Sequence, residues 1–469
     1  MAEATQTKTT IAIDPVTRIE GHLKAEVVVE NGKVVDAKLT GGMYRGFESI
    51  LRGRHPRDAA QIVQRICGVC PTAHATAASI ALEKASGTAV PSNGRATRNL
   101  ILGANYLQSH ILHFYHLAGQ DFIQGPDTAP FMPRYAKPDL RLPPAINAVG
   151  VDQYVEALEV RAVCHEMVAL FGGRMPHVHG ILAGGAAEIP TKEKLVEYAA
   201  RFKKVRKFVE EKYLPVVYLV GSQYKDLGAF GQGYRNALCV GVFPLDDEGK
   251  EFVFKAGAYQ DGKDMPFDVK RVTEDVKFSW FADSTSGKPF TKGENVLEVD
   301  KKGAYSFVKA PLYNGKPMEV GPLARMWVNN KPISPIGQKL FKEYFGLDVK
   351  NFRDMGEDLA FSLLGRHVAR AEESYLMLDV VERFLKEVRP DEETFSMPVM
   401  KDSEGFGFTE APRGSLMHFT KVRNGKIDNY QIVSATFGTA LPATTPVCAA
   451  LLRKPSSACP CRTLRIPST

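Results

Sequence analysis

The 469 residues are 44% hydrophobic and 24% charged, the balance of an ordinary globular chain, with length for one large core or two to three smaller ones. A formal net charge of +7, with Lys and Arg spread along the chain, excludes a nucleic-acid-binding stripe, and the basic run 201–207 reads as a solvated helix face. No apolar run is long enough to span a bilayer, the polar residues 1–10 lack the hydrophobic core of a signal peptide and are expected to be disordered, and seven cysteines in so long a chain are no disulfide framework.

Residues 23–29 and 34–40 are apolar or alternating around Asn31-Gly32, the dipeptide of a tight hairpin. Pro56 opens a predicted helix over 57–66 that ends in the loop Cys67-Gly68-Val69-Cys70, and Pro71 opens the next, over 72–84. Apolar periodicity predicts long helices over 95–117 and 151–171, and an amphipathic one with a basic outer face over 192–213. Residues 228–306 are rich in Gly, Asp, Lys and aromatics and read as a β-rich lobe or insertion. Helices return over 336–344 and 357–388, and a second hairpin follows, 416–422 with 428–437, around Asn424-Gly425. The class is α+β, mainly helical, with small sheets from the N- and C-terminal hairpins, which are candidates for one shared sheet. One domain is expected over 11–437. Residues 438–469, rich in Ala, Thr, Pro and Ser without a period, read as an unstructured tail.

Cys67 and Cys70 carry the clearest chemistry. Two thiolates three residues apart can grip one soft or borderline metal such as nickel, zinc or iron, but a closed site needs about four ligands. Alone, Cys-x-x-Cys is equally a zinc half-site or a redox dithiol. Cys164 and Cys239 stand singly among apolar neighbours, as buried inert thiols do. His110, His113 and His116 fall on one predicted helix stripe; a metal site is one reading, packed and hydrogen-bonded core histidines the commoner one. By itself Glu20 reads as a surface carboxylate beside Arg18 or His22, and Glu48 as an ordinary surface glutamate.

The run Arg65-Ile66-Cys67-Gly68-Val69-Cys70-Pro71-Thr72-Ala73-His74 resembles the first cysteine motif of the nickel–iron hydrogenase large subunit. Further stretches resemble the same family: Asp14-Pro15-Val16-Thr17-Arg18-Ile19-Glu20-Gly21-His22, Arg45-Gly46-Phe47-Glu48, His113-Phe114-Tyr115-His116-Leu117, Gly173-Arg174-Met175-Pro176-His177, Gly365-Arg366-His367, and Glu410-Ala411-Pro412-Arg413-Gly414. The likeness spans 11–437 and is nearest the enzymes of sulfate-reducing bacteria, including their selenium-containing branch.

That resemblance implies reversible heterolytic cleavage of H2 at a nickel bridged to an iron that carries cyanide and carbon monoxide. It implies Cys67 as a terminal nickel ligand, Cys70 as the bridge between nickel and iron, and His74 bonding the bridging thiolate. Glu20 becomes the proton relay. Arg413, behind Pro412, becomes the guanidinium over the metals, its rigid donor fork suited to a cyanide; Asp121 becomes the acid that orients it, and Thr436 a hydroxyl on the other cyanide. Glu48 becomes a magnesium ligand. The implied partner is a small subunit carrying iron–sulfur clusters, since this chain has too few cysteines for a cluster chain, with a low-potential cytochrome c or ferredoxin as the next carrier. The implied location is the periplasm, with export and any membrane association through the small subunit; the cytoplasm is the alternative.

One departure is serious. The family closes its site with Asp-Pro-Cys-x-x-Cys-x-x-His, the first cysteine being selenocysteine in one branch, and residues 438–469 hold no such pattern. Cys459-Pro460-Cys461 has the wrong spacing and Cys448 is alone, so none is assigned as a ligand. A frameshift after Phe437 is our hypothesis for this tail. Residues 453–467, back-translated and regrouped one base earlier, can be read as Glu-Glu-Ala-Leu-Ile-Gly-Leu-Pro-Val-Pro-Asp-Ile-Lys-Asn-Pro, which resembles the family's segment before its second motif; an intact natural gene with the present frame would refute it. With one cysteine pair the chain is expected to be inactive. The rival readings are a metal-free relative that keeps the fold, and a zinc or dithiol protein using Cys67 and Cys70 alone.

Overall fold

The computed structural model describes residues 8–19, 21–31, 33–133 and 138–434; Glu20, Thr436 and the tail 438–469 lie outside the described residues. The chain divides into two compact units, Met1–Arg45 with Val269–Pro317 and Thr436–Thr469, and Gly46–Asp268 with Met318–Ala435.

In the first unit, strands Leu23–Glu30 and Lys33–Gly41 form the hairpin that Asn31-Gly32 predicts, with Asn31 at φ 51°. A third strand, Lys8–Ile13, pairs antiparallel with Leu23–Glu30 and sets Ile11 opposite Val27. Residues 8–10, expected within a disordered terminus, thus lie in a sheet. A second pair of strands, Val272–Asp275 and Ala310–Tyr313, is also antiparallel. Gly41 cannot be replaced cheaply, because a Cβ there would stand 2.3 Å from Val308 Cγ2.

The second unit is mainly helical. Pro71 occupies the first turn of helix Pro71–Ser86, where a missing N–H costs nothing, and Gly87 ends it at φ 71°. This helix is buried along most of its length. Strand Ser403–Ala411 lies against it so closely that a Cβ on Gly405 or Gly407 would stand 2.3 Å from Ala81 O or 2.1 Å from Ala77 O. Ala on the helix and Gly on the strand therefore let two backbones touch. Helix Ser92–Leu112 comes next, tied to the first by the ion pair of Arg98 with Glu83. It does not run on to 117 as an α-helix; His113–Ala118 is a wider π-helical turn. Helices Pro144–Gly172, Lys192–Phe208 and Leu363–Glu387 pack around it through Tyr106, Leu107, Phe171, Tyr198 and Met377.

Strands Gly414–Arg423 and Lys426–Val433 form the second hairpin and join Ser403–Ala411 in one antiparallel sheet. The two predicted hairpins therefore lie in separate three-stranded sheets, contrary to the shared sheet considered from the sequence. Each hairpin recruits the strand before it in sequence, a short-range closure that costs less chain entropy than pairing opposite ends of the chain. Among the described residues no helix is long and apolar enough to cross a membrane.

Candidate metal centre

Cys67 and Cys70 sit in the short loop between the 3-10 turn Val63–Ile66 and helix Pro71–Ser86. Cys70 is buried and Cys67 half-buried, and the Cys70 backbone N–H points at Cys67 Sγ from 3.3 Å. The loop is pinned at its centre, where Gln108 Nε2 donates to Val69 O at 3.1 Å. The next residue, Ser109, accepts a hydrogen bond from Arg413 Nη1 at 3.0 Å. Adjacent residues of one helix thus hold the cysteine loop and the arginine, although Cys67 and Arg413 are far apart in sequence.

Arg413 is presented by the tight turn between Ser403–Ala411 and Gly414–Arg423. That turn is anchored by Arg325, which is fully buried. Arg325 donates to Ala411 O at 2.9 Å and Pro412 O at 2.8 Å, and forms ion pairs with Glu373 at 2.5 Å and Glu410 at 2.9 Å. Gly321 makes room: it holds φ 101°, and a Cβ there would stand 2.6 Å from Arg413 O. His110 Nε2 meets Glu373 at 2.9 Å. Burial would raise the Glu373 pKa, but the Arg325 charge and the bonds from Arg325 and His110 hold it below the usual range. Burial lowers His110 to about 4, so His110 faces that carboxylate as a neutral donor.

The surroundings of Arg413 suit an anion. Burial first, then the nearby Arg413 charge, lower Arg370 to about 10, and burial followed by Arg413 lowers Arg161 as well. Arg413 Nη2 is buried and has no hydrogen-bond partner among the described residues. A buried guanidinium N–H without an acceptor is a costly vacancy that an anionic group would fill. The soft thiols of Cys67 and Cys70 and this donor suit one side of a nickel–iron group with anionic ligands. No cluster of three or more His, Cys, Asp or Glu side chains able to hold a metal occurs among the described residues. The described chain therefore offers half a ligand set.

The other predicted residues are distributed as follows. His74 is buried one turn beyond Cys70, with Nδ1 3.2 Å from His418 Nε2. Pro412 is buried, its carbonyl held by Arg325. Asp121 is exposed at the end of the turn Gly119–Asp121. Glu48 is half-buried in the first turn of helix Phe47–Leu51, near enough to Tyr430 to influence its ionisation. Glu20 and Thr436 lie outside the described residues.

The histidine stripe splits among three partners. His110 bonds Glu373, His113 faces the His367 ring at 5.9 Å, and His116 Nε2 lies 3.2 Å from Tyr154 O. Cys164 and Cys239 are fully buried, and burial raises both thiol pKa values, as inert core cysteines require. Sequence reasoning missed Gln108, Ser109, Arg325 and His418. Only Ser109 carried a usable signal, as the neighbour of the histidine stripe.

Comparison with known proteins gives a consistent picture. The sequence model of the nickel-dependent hydrogenase family matches residues 45–126 and 120–445, and a HoxL-like model matches 10–40. The chain is 59% identical over 445 residues to the periplasmic [NiFeSe] hydrogenase large subunit of Desulfomicrobium baculatum, covering 93% of this chain and 86% of that protein. It is 32% identical over 499 residues to the hydrogenase-2 large chain of Escherichia coli (strain K12), covering 90% and 87%. Among solved structures, the Ni-Fe-Se hydrogenase from D. vulgaris Hildenborough superposes with a TM-score of 0.91 at 64% identity, over 95% of this chain and 97% of that one.

Proposed function

This chain belongs to the nickel-dependent hydrogenase family as a large subunit, an oxidoreductase chain for the oxidation of H2, and from that premise we propose how its residues serve a nickel–iron centre. Cys67 would hold the nickel, and Cys70 the nickel and the iron, of a centre whose iron would carry cyanide and carbon monoxide. The observation that carries this reading is the tether of adjacent Gln108 and Ser109 to the Val69 carbonyl and to Arg413, whose Nη2 still needs an acceptor. When bound, the metal pair supplies Lewis acidity for heterolytic cleavage of H2.

The chain's own residues do the rest. Arg413, with Pro412 fixing its backbone, donates from Nη2 to an anionic iron ligand, and Ser109 and Asp121 orient it. His74 bonds the Cys70 sulfur. Glu20 receives and passes on the proton at its carboxylate. Thr436 bonds a second cyanide, and Glu48 contributes one carboxylate to a magnesium ion. Electrons leave through an iron–sulfur small subunit to a low-potential cytochrome c or ferredoxin. The periplasmic relative supports a periplasmic location, with export through that partner.

With Cys67 and Cys70 as its one Cys-x-x-Cys pair, this polypeptide lacks half of the thiolates the centre needs, and metal affinity depends on the whole set. The chain as it stands is therefore inactive. Metal analysis of the purified polypeptide tests this: far less than one nickel per chain and no H2 uptake are expected. Stoichiometric nickel with H2 uptake would overturn the inactivity, and zinc held by Cys67 and Cys70 would favour the dithiol reading over the nickel one.

A further inference from the structure

Three buried rings stand in file behind the cysteine loop. His74 Nδ1 lies 3.2 Å from His418 Nε2, and His418 Nδ1 lies 2.8 Å from the Tyr430 hydroxyl. Consecutive rings meet at 60° and 90°, and the two short contacts join them through their polar atoms. His74 is 3% exposed, and His418 and Tyr430 are fully buried, which keeps water from competing. Burial, and then the neighbouring His74, hold His418 well below its ordinary pKa, so it is neutral; burial and the Glu48 charge keep the Tyr430 hydroxyl protonated.

A neutral imidazole has one N–H and one lone pair, so each ring transmits the polarity of the bond it receives. The Tyr430 hydroxyl hydrogen has one acceptor among the described residues, His418 Nδ1. Leaving a buried O–H without an acceptor is costly, so the hydroxyl donates there. His418 must then carry its proton on Nε2 and donate it to His74 Nδ1. As an acceptor, His74 Nδ1 is bare, and that ring's proton sits on Nε2. His74 stands one turn beyond Cys70, and helical side chains lean back toward the N-terminus, here toward the cysteine.

We infer that Tyr430 and His418 are positioning residues that lock His74 as its Nε2–H tautomer, so that a donor, and not a lone pair, faces the Cys70 sulfur. The consequence rests on the reading of Cys70 as a metal ligand: a donor on a ligating thiolate withdraws electron density and shifts the potential of the site. The tautomer itself does not depend on that reading.

The test is a long-range 1H–15N correlation spectrum of the full chain labelled at histidine, with His74→Gln and His418→Gln used for assignment. The expected pattern is a bare Nδ1 and a protonated Nε2 on both rings. Tyr430→Phe keeps the ring and removes the donor, so a mixed or reversed pattern is expected on both histidines. A protonated Nδ1 on His74 in the unmodified chain, or an unchanged pattern in Tyr430→Phe, overturns the lock. If the Phe variant does not fold, the unmodified spectrum decides alone. Cobalt(II) added to the reduced chain and to Cys70→Ser separates the two readings: a thiolate charge-transfer band of equal strength in both, beside the expected tautomers, removes Cys70 as a ligand and leaves the lock standing.

Discussion

Behind the cysteine loop stands a helix of alanines against a strand of glycines; behind Arg413 stands a buried lattice of charge. The first support lets the backbones of Pro71–Ser86 and Ser403–Ala411 meet with little side chain between them. It costs no desolvation and tolerates no added atom. The second joins Arg325, Glu373, Glu410 and His110. It tolerates no lost partner, because every charge in it has left water. Both supports hold a short functional turn rigid, and they fail in opposite ways.

Arg325→Met is the most severe way to break the second support. It leaves Glu373 and Glu410 buried without their cation and should cost about 3–5 kcal/mol of stability, read by urea unfolding. A loss under 1 kcal/mol would mean that the lattice is not what holds the Arg413 turn.

Adjacent carboxylates on helix Leu363–Glu387 sharpen the role of that cation. Glu373 has Arg325, whereas Glu372 is bonded to Tyr218 and Ser334, with no cation paired to it among the described residues. Burial therefore raises Glu372 from 4.5 to about 7. Its folded pKa lies above its unfolded one, so its contribution to stability is complete below about pH 4.5 and is lost as pH rises toward 7, in total about 3 kcal/mol. Glu372→Gln resembles the protonated form and should flatten this slope, making the variant more stable than the parent at pH 8 but not at pH 4.5. Equal slopes by chemical unfolding would show that Glu372 does not titrate in that window. Glu373 behaves oppositely: its folded pKa is depressed, so its contribution is present above the ordinary carboxylate range and is lost on acidification.

The smallest expected effect tests the first support. Gly407→Ala places a Cβ against Ala77 O and should cost about 1–3 kcal/mol, as overpacking does. Gly425→Ala makes a control, since a Cβ there meets nothing within 4 Å and only its positive φ is strained. If thermal melts show Gly407→Ala to be the milder change, the close backbone contact is not the determinant.

The sequence made the local punctuation legible. Asn31-Gly32 and Asn424-Gly425 mark both hairpins, Pro71 marks the start of the cysteine helix, and the thiol pair marks the metal side of the site. What stayed hidden was long in range. Arg325 has the same letter as a solvated arginine, and nothing beside it announces Glu410, eighty-five residues away. His418 meets His74 across a gap of 344 residues, and its apolar neighbours in a strand buried on both faces mark it only as interior. The end of the α-helix at Leu112 was hidden for another reason: a π turn keeps the apolar residues coming, so periodicity does not register the change of pitch.

That wide turn, His113–Ala118, carries one residue more than a uniform helix would need. Deleting a single codon there would restore an even spiral and leave everything downstream, Asp121 included, near its present direction, because the wider turn winds less per residue and absorbs the surplus where it stands. The extra residue works as slack: it is taken up within one turn and leaves the rod before it untouched. A lineage could gain or lose that amino acid without altering the interior against which Tyr106 and Leu107 are packed.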